Sequence, residues 1–275
     1  MREQPVRYGW QWAIIILVAL YAAVLLFAPL VAIITRAFEN GLQPVIDALT
    51  AADAISALKL SFSLAITAAL INVVIGVTIA WVLVRHDFPG KWLFNALVDL
   101  PFVISPVIVG SVMILLFGRE GWFKDFPIPL AFSLPGMLVV TTFVSLPFVI
   151  REVMPSLAAL TSEQEEAART LGASRWRIAY RLIFPGIRHG MIYGIVLTLA
   201  RALGEFGAVA VIGGGVQGVT ETATIYVFRS LHDRNNVGAY GMAILLALIS
   251  IGILVIMNWL RASAERRGSN HVHRA

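Results

Sequence analysis

Ser162-Glu163-Gln164-Glu165-Glu166-Ala167-Ala168-Arg169-Thr170-Leu171-Gly172-Ala173-Ser174-Arg175-Trp176-Arg177-Ile178-Ala179-Tyr180-Arg181-Leu182-Ile183-Phe184-Pro185 is the heart of 151–189, the one long charged segment between hydrophobic blocks. Ser162 with Glu165 three residues on forms a capping box and predicts a helix start. Good helix formers carry the segment to Leu171, and Gly172 supplies the left-handed residue that ends it. Ser174 caps a second short helix, which Pro185 is placed to close. The plain alternative is a solvated loop. The patterned one is a helical hairpin with carboxylates at its start and arginines along its second half.

What surrounds the hairpin is apolar. Hydrophobic residues make up 59% of the 275 residues, charged residues 13%, and mean hydropathy is +0.83. Soluble domains are roughly half apolar and a quarter charged, so an all-α, polytopic membrane protein is expected. The length suits about six spans and little else. Without cysteine there is no disulfide, thiolate metal site or thiol nucleophile. A net charge of +5 in so apolar a chain reflects retention of basic residues on the cytoplasmic face rather than a nucleic-acid partner.

Uncharged runs place the spans at about 13–35, 60–84, 93–117, 128–150, 190–213 and 237–260, within a single domain 1–275. The first run is too long for a signal-peptide core and is read as an uncleaved span. Thr50 to Asp53 is a box that can start the helix leading into the second span. Pro101 and Pro106 interrupt the third, and Pro135 and Pro147 lie in the fourth. The N-terminus, the 85–91 turn, the 151–189 segment and the tail hold fourteen Lys and Arg, against six in the opposite segments. Both termini and the hairpin are therefore expected in the cytoplasm.

Span five carries Ala200-Arg201-Ala202-Leu203-Gly204-Glu205-Phe206-Gly207-Ala208. A charge at membrane depth costs roughly 2.5–3.5 kcal/mol, so it must be paired or face a cavity. Arg201 and Glu205 are four apart, hence neighbours on one helix face, with Gly190 and Gly194 on the same side. Gly186, Gly190 and Gly194 make a small-xxx-small ladder that predicts close packing on another helix. Two readings of the pair stand open: a structural ion pair, or an element of a gate or anion path. Ser105, in the proline-interrupted region, is a further path candidate. Asn72 reads as interhelical glue, and Asp99 as a structural hydrogen-bonding or helix-end residue. His86, His189, His232, His271 and His273 read as loop or tail residues, and no metal site or catalytic pair is expected.

Glu166-Ala167-Ala168, three residues, then Gly172 resembles the EAA loop of the membrane subunits of ABC importers. Leu182-Ile183-Phe184-Pro185 resembles that loop's Ile-x-Leu-Pro ending, with Leu182 and Phe184 as apolar replacements. The 200–208 segment is similar to a string found in sulfate and molybdate permeases. Asp99 to Gly110, Gly121-Trp122-Phe123 and Pro147 to Glu152 look closer to the W-type subunit of sulfate importers.

The resemblance covers about 60–260 and implies a type I ABC importer permease fold of six transmembrane helices. It implies that Glu165, Glu166, Ala167, Ala168, Gly172, Arg175 and Pro185 belong to a loop coupling the chain to an ATPase. The implied partners are two ATP-binding subunits, a homologous T-type permease subunit, a periplasmic or extracellular substrate-binding protein and the lipid bilayer. The implied place is the bacterial inner membrane. No cofactor is expected in this chain, and ATP and Mg belong to the partner ATPase. A P-loop needs G-x-x-x-x-G-K-[ST], yet the single Gly-Lys pair here, Gly90-Lys91, is followed by Trp92. The expected function is sulfate permeation, with thiosulfate alongside it. Its rivals are a molybdate or tungstate permease, a gradient-driven anion transporter and an intramembrane enzyme.

Overall fold

A computed structural model describes residues 9–272. Arg2, Arg7, His273 and Arg274, which enter the charge count and the tail reading, lie outside the described residues. Helices dominate, and there is no strand among the described residues. Helix α1 (Gly9–Ala37) leaves its apolar surface uncovered and packs chiefly on the last helix, as suits a segment whose solvent is lipid. Short α2 (Gln43–Thr50) has Pro44 in its first turn. Helix α3 (Ala52–Arg85) then runs 34 residues without a break. The expected Thr50 box does not cap it, because the Thr50 hydroxyl is turned back to the Ile46 carbonyl at 2.8 Å.

The third expected span, 93–117, is not one helix. Helices α4 (Lys91–Val103) and α5 (Pro106–Phe117) meet at a bend of 106°. Pro106 has no N–H to continue the ladder and forces Ser105 into an extended conformation, so the turn falls there. Among the described residues, five helices are long and apolar enough to cross a bilayer, six if the bent pair is one span.

Helix α6 (Leu134–Ala159) starts later and ends later than the expected 128–150. A turn precedes it, with Phe132 at a φ of 53° and its N–H donated to the Ile212 carbonyl. The Ser133 hydroxyl caps the Gly136 N–H at 3.2 Å. Residues 151–159, expected as loop, are thereby helical.

The hairpin is α7 (Ser162–Thr170) and α8 (Arg175–Ile178). Thr161, in an extended conformation, holds the N-cap position of α7, one residue before the one the capping box indicated. Pro185 does not close the second arm. A π-turn at Ala179–Ile183 leads without interruption into α9 (Phe184–Leu203), with Pro185 in its first turn. In a plain α-helix the proline would strand a carbonyl one turn back. Here the Phe184 N–H donates five residues back to Ala179, and the wider turn absorbs the missing donor.

Span five breaks as well. Helix α9 ends at Leu203, residues 204–206 are irregular, and α10 (Gly207–Gly213) follows. The 213–218 run, expected as a flexible exit, is an ordered turn. The Thr220 hydroxyl donates to the Gly213 carbonyl at 2.7 Å and accepts the Val216 N–H at 2.9 Å. Helices α11 (Ala223–His232) and α12 (Asn236–Val272) complete the order. His189 and His232 thus lie in helices rather than loops, and His271 falls within α12.

Helices α3, α6 and α9 form the centre of the bundle. Their approach is set by glycine. A Cβ on Gly76 would stand 2.9 Å from Val149, one on Gly194 2.9 Å from the Val149 Cα, and one on Gly190 2.5 Å from the Glu152 carbonyl. The ladder packs on α6, as its spacing predicts. Asn72 joins the same helices, donating to the Ser145 hydroxyl at 2.9 Å and the Thr142 carbonyl at 3.2 Å. Gly190→Val is expected to cost about 1–3 kcal/mol through overpacking and to lower the melting temperature of the purified protein. Gly252→Val, which meets open space, is the control that leaves it unchanged.

Candidate functional site

The hairpin turns on a backbone motif. The Ala173 N–H donates to the Ala168 carbonyl at 3.0 Å and the Gly172 N–H to the Arg169 carbonyl at 2.9 Å, the paired bonds of a Schellman end. Gly172 takes a φ of +80°, which its lack of a Cβ permits. The Ser174 hydroxyl accepts the Arg177 N–H at 3.3 Å and starts the second arm, as its position predicts. The glycine and the cap together set the angle between α7 and α8.

The two glutamates of the motif part company. Glu165 is buried at 9% exposure and pairs with Arg85, at the end of α3, at 2.8 Å. Arg85 also donates to the Leu160 carbonyl at 2.8 Å. This pair ties the base of the hairpin to the central bundle. Glu166, Ala167, Arg175 and Pro185 face out, as do Leu171, Trp176 and Tyr180 at 88%, 85% and 78% exposure. A rim of arginines around bare aromatic and aliphatic side chains is the composition of a protein-binding face. Sequence reasoning missed those three apolar residues. Their signal is present, since Leu171, Trp176 and Tyr180 are large apolar residues in a charged loop.

From Arg175 to Leu203 the chain is one helical run of 29 residues, on the order of 40 Å long. Its near end is the exposed hairpin and its far end is the break at 204–206. Arg201 lies in the last turn of α9, and Glu205 lies in the break rather than on a continuous helix face. The pair still closes, with Arg201 Nη1 2.7 Å from Glu205 Oε2. Glu205, 3% exposed, also accepts the Ala208 N–H at 3.0 Å and so caps α10. The Thr224 hydroxyl holds the Glu205 carbonyl at 2.7 Å and ties α11 to the break.

The two helix interruptions touch. A Cβ on Gly207 would stand 2.9 Å from Val107 and one on Gly110 2.8 Å from the Ala208 carbonyl. Ile104 and Phe206 pack on one apolar cluster with Val109 and Ala208. Ser105 sits exposed at the bend, and its hydroxyl makes no capping bond. Irregular backbone at membrane depth is tolerated where protein buries it or where it lines a water-filled space.

Asp99 takes the structural role its position suggests. Its carboxylate binds Arg151 through two contacts, of 2.8 and 2.5 Å, and Asn95 joins at 2.9 Å. At the end of the bundle away from the hairpin, Arg229 gathers Glu221 at 2.6 Å, Asp53 at 2.9 Å and Asp233 at 3.2 Å. The hydrogen bond to Glu221 holds the Arg229 guanidinium still further above its ordinary pKa, against the opposing pull of burial. This network joins α3, α11 and the loop before α11, and only its Asp233 member, four residues from Arg229, has a spacing that sequence announces. A cavity of about 860 Å³ opens between α5 and the following loop, with Arg119, Glu120 and Lys124 on its wall.

Comparison with known proteins adds an independent line. Residues 72–269 match the family described as binding-protein-dependent transport system inner membrane component. The sulfate transport system permease protein CysW of Synechocystis sp. is 43% identical, over 97% of this chain and 97% of that protein. The protein of the same name from Escherichia coli is 38% identical over 98% and 95%. A solved bacterial ABC transporter involved in alginate import has a chain that superposes with a TM-score of 0.75, over 92% of this chain and 95% of that one. At 17% identity that likeness concerns the fold.

Glu205→Gln keeps an acceptor for the Ala208 N–H but leaves Arg201 without its counter-charge. A destabilisation of about 2 kcal/mol is expected, below the usual cost of breaking a buried pair because Arg201 is partly exposed. Arg201→Met combined with Glu205→Gln is expected to regain most of it, as read by thermal melting in lipid nanodiscs.

Proposed function

The chain belongs to the family of binding-protein-dependent transport system inner membrane components, and from that premise we propose that it is the W-type permease subunit of an ATP-driven sulfate importer. The full-length similarity to sulfate permeases supports the cargo. The observation that carries the mechanism is the unbroken helical run from the exposed hairpin to the Arg201–Glu205 break.

The motor is a pair of separate ATP-binding subunits, which use ATP and Mg; this chain has no P-loop. Leu171, Trp176 and Tyr180 enter a groove on one of them, and Glu166 and the arginines of α8 ring that contact. Closure of the ATPase pair pushes the hairpin. The Schellman turn and the Ser174 cap keep the hairpin stiff, and the Glu165–Arg85 pair makes α3 move with it. Helix α9 carries the displacement to the break, where Arg201, Glu205 and Ser105 form the gate between this subunit and a homologous T-type permease subunit. A substrate-binding protein outside delivers the anion. Both termini and the hairpin lie in the cytoplasm, and the membrane is the bacterial inner membrane. Thiosulfate shares the charge and tetrahedral shape of sulfate and takes the same path.

Gly172→Pro tests the lever, because proline cannot adopt a φ of +80° and has no N–H for the Arg169 carbonyl. The expected outcome is an inserted protein whose complex hydrolyses ATP while sulfate uptake into vesicles falls at least tenfold. Uptake at the wild-type rate removes the lever. The cargo is tested by uptake of labelled sulfate against excess molybdate, tungstate or thiosulfate. Thiosulfate alone is expected to compete, and suppression by molybdate at equal concentration reassigns the chain to a molybdate permease.

A further inference from the structure

The core of the bundle holds polar atoms that the transport reading does not use. Asn72 stands at the middle of the uncharged 60–84 stretch of α3 and is fully buried. Its Nδ2 is satisfied by the Ser145 hydroxyl and the Thr142 carbonyl. Its Oδ1 is buried and accepts no hydrogen bond from the protein. The Thr142 and Thr198 hydroxyl oxygens are buried in the same condition. Most helical hydroxyls here turn back to the carbonyl four residues earlier: Thr141 to Met137, Ser145 to Thr141, Thr78 to Val74. Thr142 and Thr198 do not, although each has such a carbonyl within reach of a rotamer change.

Helix register brings these atoms to one level. Gly76 of α3 and Gly194 of α9 both lie against Val149 of α6. Asn72 is one turn before Gly76, and Ser145 is one turn before Val149. Helix α9 runs the opposite way, so Thr198, one turn after Gly194, comes level with both. Three helices therefore offer, at the middle of the membrane, a carbonyl oxygen lacking a donor and two hydroxyls lacking partners. Leaving such a group unpaired in lipid is costly.

We infer that this junction binds one ordered water molecule. Water donates to Asn72 Oδ1 and exchanges hydrogen bonds with the Thr142 and Thr198 hydroxyls, the two to four partners typical of a buried water. A metal cation fits poorly, because the three oxygens are neutral and bring no compensating charge. The site pins α9 to the α3–α6 pair about a turn and a half before the break, and it stands whatever the cargo is.

The test is a structure of the assembled complex in nanodiscs at a resolution that shows ordered solvent. A density peak within hydrogen-bonding reach of Asn72 Oδ1 and of either threonine hydroxyl is the expected result. Asn72 Oδ1 bonded directly to a threonine hydroxyl, with no peak between, overturns the inference. Melting temperatures give a second arm. Thr198→Val, which is isosteric, and Asn72→Ala are each expected to lower the melting temperature, and together by less than the sum of the two. Thr198→Ser, which keeps the hydroxyl, is expected to stay near the wild type. Additive losses count against a shared water.

Discussion

In lipid every backbone N–H and C=O must find its partner within the protein, and that constraint governs this chain. It makes an uninterrupted helix the default, and α1, α3 and α6 follow it. It also makes each interruption informative. Among the described residues the chain breaks its spans at the Ser105 bend and at 204–206, and it puts the two against each other. Glu205 meets the cost at the second by accepting the Ala208 N–H, and Thr224 holds the Glu205 carbonyl. Interruptions so carefully satisfied are maintained features of the fold rather than accidents of it.

The same constraint explains how a stimulus at one end can reach the other. A helix transmits a push only while its hydrogen-bond ladder is whole, and Pro185 threatens that ladder where the hairpin joins α9. The π-turn repairs it by moving one bond five residues back. A hairpin joined to α9 through a loop would move freely on its own, whereas one joined through a continuous ladder cannot. The glycine ladder on α9 then keeps the rod pressed to α6, because close backbone approach is the principal adhesive between helices in lipid.

Much of this was legible before any coordinates. Gly172 announced the left-handed end of α7, the spacing of Gly186, Gly190 and Gly194 announced a packed face, and the four-residue spacing of Arg201 and Glu205 announced their pairing. What stayed hidden depends on direction or distance. Nothing in the run Glu165-Glu166 says which carboxylate turns inward, since the choice is made by Arg85, eighty residues earlier. Pro185 reads as a stop in any local scheme, and only the continuity of the helix beyond it shows that a wider turn was the cheaper solution. Pro106 marks an interruption but not its angle, nor that α10 packs across α5 beyond it. In the Arg229 network the four-residue spacing to Asp233 is readable, but Asp53, 176 residues away, is not.

The ion pair at the break carries one last physical consequence. An unpaired arginine at this depth would be a strong site for any oxyanion, and a strong site stalls a transporter, because what binds tightly leaves slowly. Glu205 offsets that attraction and is itself held in place by the Ala208 amide. If the break lies on the anion's path, as proposed above, an anion there competes with the Glu205 carboxylate for the Arg201 guanidinium. On that reading the contact would be short-lived. On the same reading, selection of cargo would fall to whatever delivers the anion, and the membrane chain would be left free to pass it on.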